Sequence, residues 1–201
     1  MHRFLPALLL AISAHAELLC ALGPHADAYK ANGDDRPSPD VMQLARRVNS
    51  ALKPACTPKC PEIAIFRNAT APNLALIATE DQAKIVYAPQ FFSAIYDKYG
   101  DGSIIAVIGH EYGHALGETT PVPWIKSSWN IELRADAWAG CALAKNNLDA
   151  KALKEAVDAL AGYPPASRPD WNQRLMALKT GYTHCGGNQP PLAEAAAPGR
   201  K

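Results

Sequence analysis

His110-Glu111-Tyr112-Gly113-His114 constrains this chain more than any other stretch, because it sets two imidazoles four residues apart in a segment that reads as helix. Residues at i and i+4 lie on one helical face, so both rings can reach one metal ion. Glu111 is rotated one position away, where its carboxylate can take a proton from an attacking water instead of binding the ion. A plainer reading makes both histidines ordinary polar helix residues. Against it, the turns just before them, Ile104-Ile105-Ala106-Val107-Ile108, are strongly apolar and suited to burial.

A catalytic zinc site takes three protein ligands and keeps one position open. The third ligand should come from a separate element downstream, and Asn130-Ile131-Glu132-Leu133-Arg134-Ala135-Asp136 offers one. Glu132 and Asp136 share a helical face, so Glu132 can bind the ion while Asp136 braces a ligand histidine. A solvated acidic face is the rival reading. The small residues Ala135, Ala139 and Gly140 argue for close approach to a neighbouring helix instead. Cys141 lies nine positions after Glu132 and turns to the opposite side of that helix, away from the metal.

The N-terminus reads as an export signal. His2 and Arg3 precede an apolar run from Phe4 to Ala14, and Ala14-His15-Ala16 is an Ala-x-Ala processing site, so residues 1–16 form an expected signal peptide. That run is shorter than the about 20 apolar residues that cross a bilayer. No other stretch is apolar enough, so no transmembrane segment is expected in the mature chain. A lipoprotein reading on Cys20 competes, but Leu19 is bulky where a small residue belongs. The expected location is periplasmic or secreted.

Five cysteines in an exported chain imply disulfides. Cys56 and Cys60 sit in Pro-Ala-Cys-Thr-Pro-Lys-Cys-Pro and read as a local pair. Half of a metal site is the rival reading, but no second closely spaced cysteine pair completes it. Cys141 and Cys185 make the second pair, and Cys20 is left over. The formal net charge of +1 and the lack of a basic run exclude nucleic acid as an expected partner.

At 201 residues the chain fits one domain with tails. Residues 17–39 read as a polar, Pro-containing linker, 40–185 as the domain, and 186–201 as a disordered tail. Helical spacing predicts a helix over 40–52, with Asp40 as N-cap. Strands are predicted at 62–67, 74–79 and 84–88. A short helix follows Pro89, and Asp101-Gly102-Ser103 is read as the turn and cap opening a helix over 104–116. Three further helices are expected over 131–146, capped by Ser128 or Asn130, over 150–161, capped by Asp149, and over 169–180.

His110-Glu111-Tyr112-Gly113-His114, followed by Glu132-Leu133-Arg134-Ala135-Asp136-Ala137-Trp138-Ala139-Gly140, resembles the Glu-zincin metallopeptidases. The group in view holds the CAAX prenyl proteases, the bacterial heat-shock membrane protease and the periplasmic β-barrel assembly-enhancing protease. Bacterial neutral zinc metallopeptidases with a Glu-Leu-x-Ala-Asp-x-x-Ala-Gly segment are similar too. The likeness spans residues 40–183, and its specific part is these two motifs. It implies that Lys84–Ala88 is an edge strand beside the cleft, able to take an extended peptide by strand addition. Members often carry His-Pro and then an arginine five residues after the proline; here Arg168-Pro169 and Arg174 stand in those places. Arg168, Arg174, Tyr182 and His184 are the candidate oxyanion donors, with Arg174 the best of them, and a structural role is the favoured reading for each.

These readings converge on an α+β, zincin-like domain with a small β-sheet beside the active-site helix. The expected activity is zinc-dependent hydrolysis of peptide bonds, as a metalloendopeptidase. One zinc ion would sit on His110, His114 and Glu132, with Glu111 as base and peptides or unfolded exported proteins as substrate. The alternative is a catalytically silent zincin-like domain acting as an envelope chaperone or adaptor, for which Glu111 has no chemical use. A structural zinc site is disfavoured, since it takes four protein ligands and no base.

Overall fold

In the computed structural model, residues 17–22, 29–56, 60, 63–78, 83–117, 120, 122–164 and 169–188 are described. The expected signal peptide, almost all of the expected tail, and Arg168 lie outside them.

Among the described residues, four strands form a mixed sheet: β1 (Glu17–Leu22), β2 (Ala64–Arg67), β3 (Leu74–Ala78) and β4 (Ala83–Tyr87). Their spatial order is β1-β3-β4-β2. β3 runs antiparallel to both neighbours, with Leu76 opposite Cys20 on β1 and Ile85 on β4. β2 pairs in parallel with β4. The strand expected at the edge, 84–88, is therefore interior. Strand order is set by long-range pairing, which a run of β-branched residues does not encode.

Among the described residues there are five α-helices, of which α2 packs on the sheet: α1 (Pro39–Leu52), α2 (Pro89–Gly117), α3 (Ile131–Lys145), α4 (Ala150–Gly162) and α5 (Trp171–His184). α2 is the central element, touching α1, α3, α4 and the sheet. Its run Ile104–Ile108 is buried throughout, each large side chain contributing about 1.5–3 kcal/mol by leaving water. Tyr112 Oη on α2 donates to Asn49 Oδ1 on α1 at 2.8 Å.

Two expected caps differ in detail. Ser38 rather than Asp40 caps α1, accepting from the Val41 N–H. Asn130, one of the two expected candidates, caps α3. The two helices expected around 89–116 are one element broken at Gly100, whose φ of 69° suits glycine alone. Ser103 does not cap the second part; its buried hydroxyl donates to the Gly100 carbonyl. Asp149 caps α4 as expected, and Asp170 caps α5.

The stretch expected as a linker is tied to the domain. Glu17–Leu22 is strand β1. Farther on, Asp34 gathers Tyr29 Oη at 2.9 Å, Lys84 Nζ at 2.6 Å and Asn68 Nδ2 at 2.7 Å. Asp35 pairs with Arg67 through backbone and side chain. Tyr29 packs beside Ala75, Ile77 and Val86, while Leu74, Leu76, Ile85 and Tyr87 join the main core. Both faces of the inner strands are thereby covered.

Candidate metal centre

α2 supplies His110, Glu111 and His114; the first turn of α3 supplies Glu132. Small residues let the two helices meet. A Cβ on Gly113 would lie 2.7 Å from Ala135 Cα and 2.8 Å from the Ala135 carbonyl oxygen. Only a residue without a side chain permits that contact. It brings the start of α3, where Asn130 Oδ1 accepts from the Leu133 N–H at 3.0 Å, over the histidine face.

The three expected ligands come together. His110 Nε2 and His114 Nε2 are 3.2 Å apart, and Glu132 Oε2 lies 3.3 and 3.4 Å from them. All three residues are buried, and their donor atoms fall within 4.8 Å of one another. Two imidazole nitrogens and a carboxylate oxygen so arranged can hold a metal ion. Burial pushes the Glu132 carboxyl up, but its close contacts with His110 and His114 outweigh that and hold it well below the usual range. Burial lowers His114, favouring the neutral ring that a ligand needs.

Asp136, one turn beyond Glu132, lies behind the trio. Its Oδ1 meets His110 Nδ1 at 2.9 Å. Burial raises its pKa, yet the Arg174 guanidinium and His110 outweigh that and hold it below its ordinary value. An ionised Asp136 can only accept, so Nδ1 of His110 carries the ring proton and Nε2 keeps its lone pair toward the cluster.

Arg174 fits the structural reading rather than that of an oxyanion donor. Nε and Nη2 bind the two Asp136 oxygens at 2.8 and 2.9 Å, and Nη1 donates to the Leu160 carbonyl at 3.0 Å. It is 2% exposed and lies against the Trp171 ring, with its donors directed at Asp136 and α4 rather than into the metal site. Glycines again allow the approach: a Cβ on Gly181 would fall 1.8 Å from the Ala137 carbonyl, and one on Gly140 2.0 Å from the Leu178 carbonyl. Of the other oxyanion candidates, Tyr182 is buried, and His184 stacks on Trp124 at 5.0 Å between ring centres.

Glu111 is the unresolved charge of the site. Its carboxyl is fully buried and no side chain hydrogen-bonds to either oxygen. Burial pushes its pKa up to about 8; His110 and the Leu76 backbone N–H pull the other way, and Glu132 adds to the rise. A buried, unpartnered carboxyl is costly unless something compensates it. A cation held by the three neighbouring ligands would do so, because a nearby positive charge favours the ionised form.

The remaining expectations on cysteine hold. Cys56–Cys60 and Cys141–Cys185 form disulfides, with Cα–Cα distances of 5.2 and 5.1 Å. Cys141 points from α3 to the end of α5, away from the ligands. No described helix is long and apolar enough to cross a membrane.

No family model, curated protein or solved structure matches the chain. The geometry of the site therefore carries the functional argument. The brace of Asp136 on His110 is as expected; what the motifs missed is its continuation through Arg174 to the Leu160 carbonyl, which joins α3 to α5 and α4. Arg174 is 38 residues from Asp136 and carries no local mark of that pairing.

Proposed function

We propose that this chain is a zinc metallopeptidase of zincin-like fold that hydrolyses peptide bonds in exported or envelope proteins. The observation that carries the proposal is the Glu111 carboxyl, buried without a side-chain partner beside His110, His114 and Glu132. A purely structural metal site would have no use for such a group. Two histidines and a carboxylate suit zinc among the common biological metals. The two disulfides and the Ala-x-Ala site support a periplasmic or secreted location.

When bound, zinc supplies Lewis-acid polarisation of water and of the scissile carbonyl. The chain's own residues do the rest. Glu111 takes the proton from the attacking water and passes it to the departing amine. Burial makes it a stronger base than an exposed glutamate once it is ionised. Asp136 holds the tautomer and direction of His110, and Arg174 keeps Asp136 charged and fixed.

The closure of the site favours one rival, a catalytically silent adaptor, since Glu111 has no exposure at all. Cleavage of unfolded polypeptides by wild type and Glu111→Gln, assayed in parallel with zinc content, separates the two. A metal-loaded wild type without cleavage activity sinks the peptidase reading.

A further inference from the structure

A substrate must reach Glu111, and in this structure none can. His110 and Glu111 are 0% exposed and His114 is 8% exposed. Some element has to move. α2 and α3 cannot, because they carry the ligands and are joined through His110, Asp136 and Arg174.

β1 differs in kind. It is an edge strand with β3 as its one neighbour in the sheet, whereas β3 and β4 are each held on two sides. Its pairing is irregular: Leu18 lies opposite Ile77 and Cys20 opposite Leu76, so Leu19 has no opposite residue. A bulge of this kind interrupts the ladder and is common beside active sites. Leu76 is also the β3 residue whose backbone N–H acts on the Glu111 carboxyl. α2 packs against β1 as well as β3. The interrupted end of an edge strand thus lies along the flank of the catalytic carboxyl.

We propose that β1 is a displaceable strap, occupying the edge of β3 on which an extended polypeptide substrate pairs, so that its release opens the site. An incoming extended chain would use the backbone groups of β3 that β1 now uses, and antiparallel strand addition would carry it past Glu111. Edge elements with one ladder open at lower cost than the core they cover. The identity of the substrate rests on the peptidase reading; the gate itself does not.

The test is carried out on the full metal-free chain, with and without Leu18→Pro and Leu22→Pro together. These residues face Ile77 and Leu74, at opposite phases of the ladder, so one of the two prolines removes a bonded N–H. Diethylpyrocarbonate modification of each histidine is followed by mass spectrometry, with exposed His184 as internal reference. Relative to His184, His114 should react at least about tenfold faster in the variant, with helical circular dichroism unchanged. Equal protection in both proteins overturns the strap.

Should the variant lose its helices, hydrogen exchange on the wild type decides. Amides of Glu17–Leu22 that open independently of Ile104–Leu116 support the strap, and a single opening shared by both overturns it. Faster His114 modification without peptide cleavage by the zinc-loaded variant keeps the gate and removes the peptidase reading. Cleavage at one rate by both proteins, with equal His114 protection, does the reverse.

Discussion

Asp136 accepts two hydrogen bonds from Arg174, from Nε at 2.8 Å and from Nη2 at 2.9 Å, with both residues almost wholly buried. The same carboxylate meets His110 Nδ1, so α5, through Arg174, helps to orient one of the three candidate ligands. The pair joins the stability of the helical core to the readiness of the imidazole.

Arg174→Ala leaves that carboxylate buried without its cation, which should cost about 3–5 kcal/mol of folding stability. Arg174→Lys keeps the charge but not the fork, and should recover part of the stability. Both variants should bind zinc about 10–100-fold more weakly, read by chelator competition on folded protein. Wild-type zinc affinity in folded Arg174→Lys would reduce Arg174 to a packing residue.

His110→Ala should abolish stoichiometric zinc, since one of three ligand atoms within 4.8 Å is lost. Metal analysis after dialysis checks this. Full occupancy in the variant would mean that the ion sits elsewhere.

Glu111→Gln should keep both the zinc and the fold, because Glu111 lies outside the ligand trio. Gln has nearly the same shape but does not accept the proton of the attacking water. Cleavage should therefore fall by about 10²–10⁴-fold, measured with an unfolded protein substrate. Unchanged turnover would remove Glu111 from the chemistry.

Gly113→Ala places a methyl 2.7 Å from Ala135 Cα, against backbone that has little freedom to yield. Overpacking of this kind costs about 1–3 kcal/mol. Because α3 must shift, Glu132 should retreat from the histidines, and zinc affinity should drop even below the melting temperature. Thermal melts paired with zinc titration test it, and normal affinity would show that α3 adapts.

Cys141→Ala with Cys185→Ala opens a bridge between residues 44 apart in sequence. Loop-closure entropy puts its contribution at about 4 kcal/mol. Denaturant unfolding of the double variant should show a loss of that order while metal binding in the folded state persists. A matching loss of zinc affinity at low denaturant would place the bridge in the site's support as well.

The sequence by itself determined what depends on spacing along one element. His110 and His114 share a face, with Glu111 turned aside, because a helix repeats every 3.6 residues. Glu132 and Asp136 follow the same rule on α3, and so does the turning of Cys141 away from them. Asp149 as the cap of α4 was legible for a similar reason, a local exchange between a side chain and the next turn.

Tertiary structure alone decided what depends on residues far apart. Arg174 holds Asp136 because glycines at 140 and 181 let α5 lie against α3, and no local pattern announces a contact across 38 residues. The interior place of β4, the fastening of Tyr29 and Asp34 onto the sheet, and β1 on the edge of β3 follow from the same cause. Strand order and closure of the site are settled by which surfaces bury one another, and that choice is made only when the whole chain is packed.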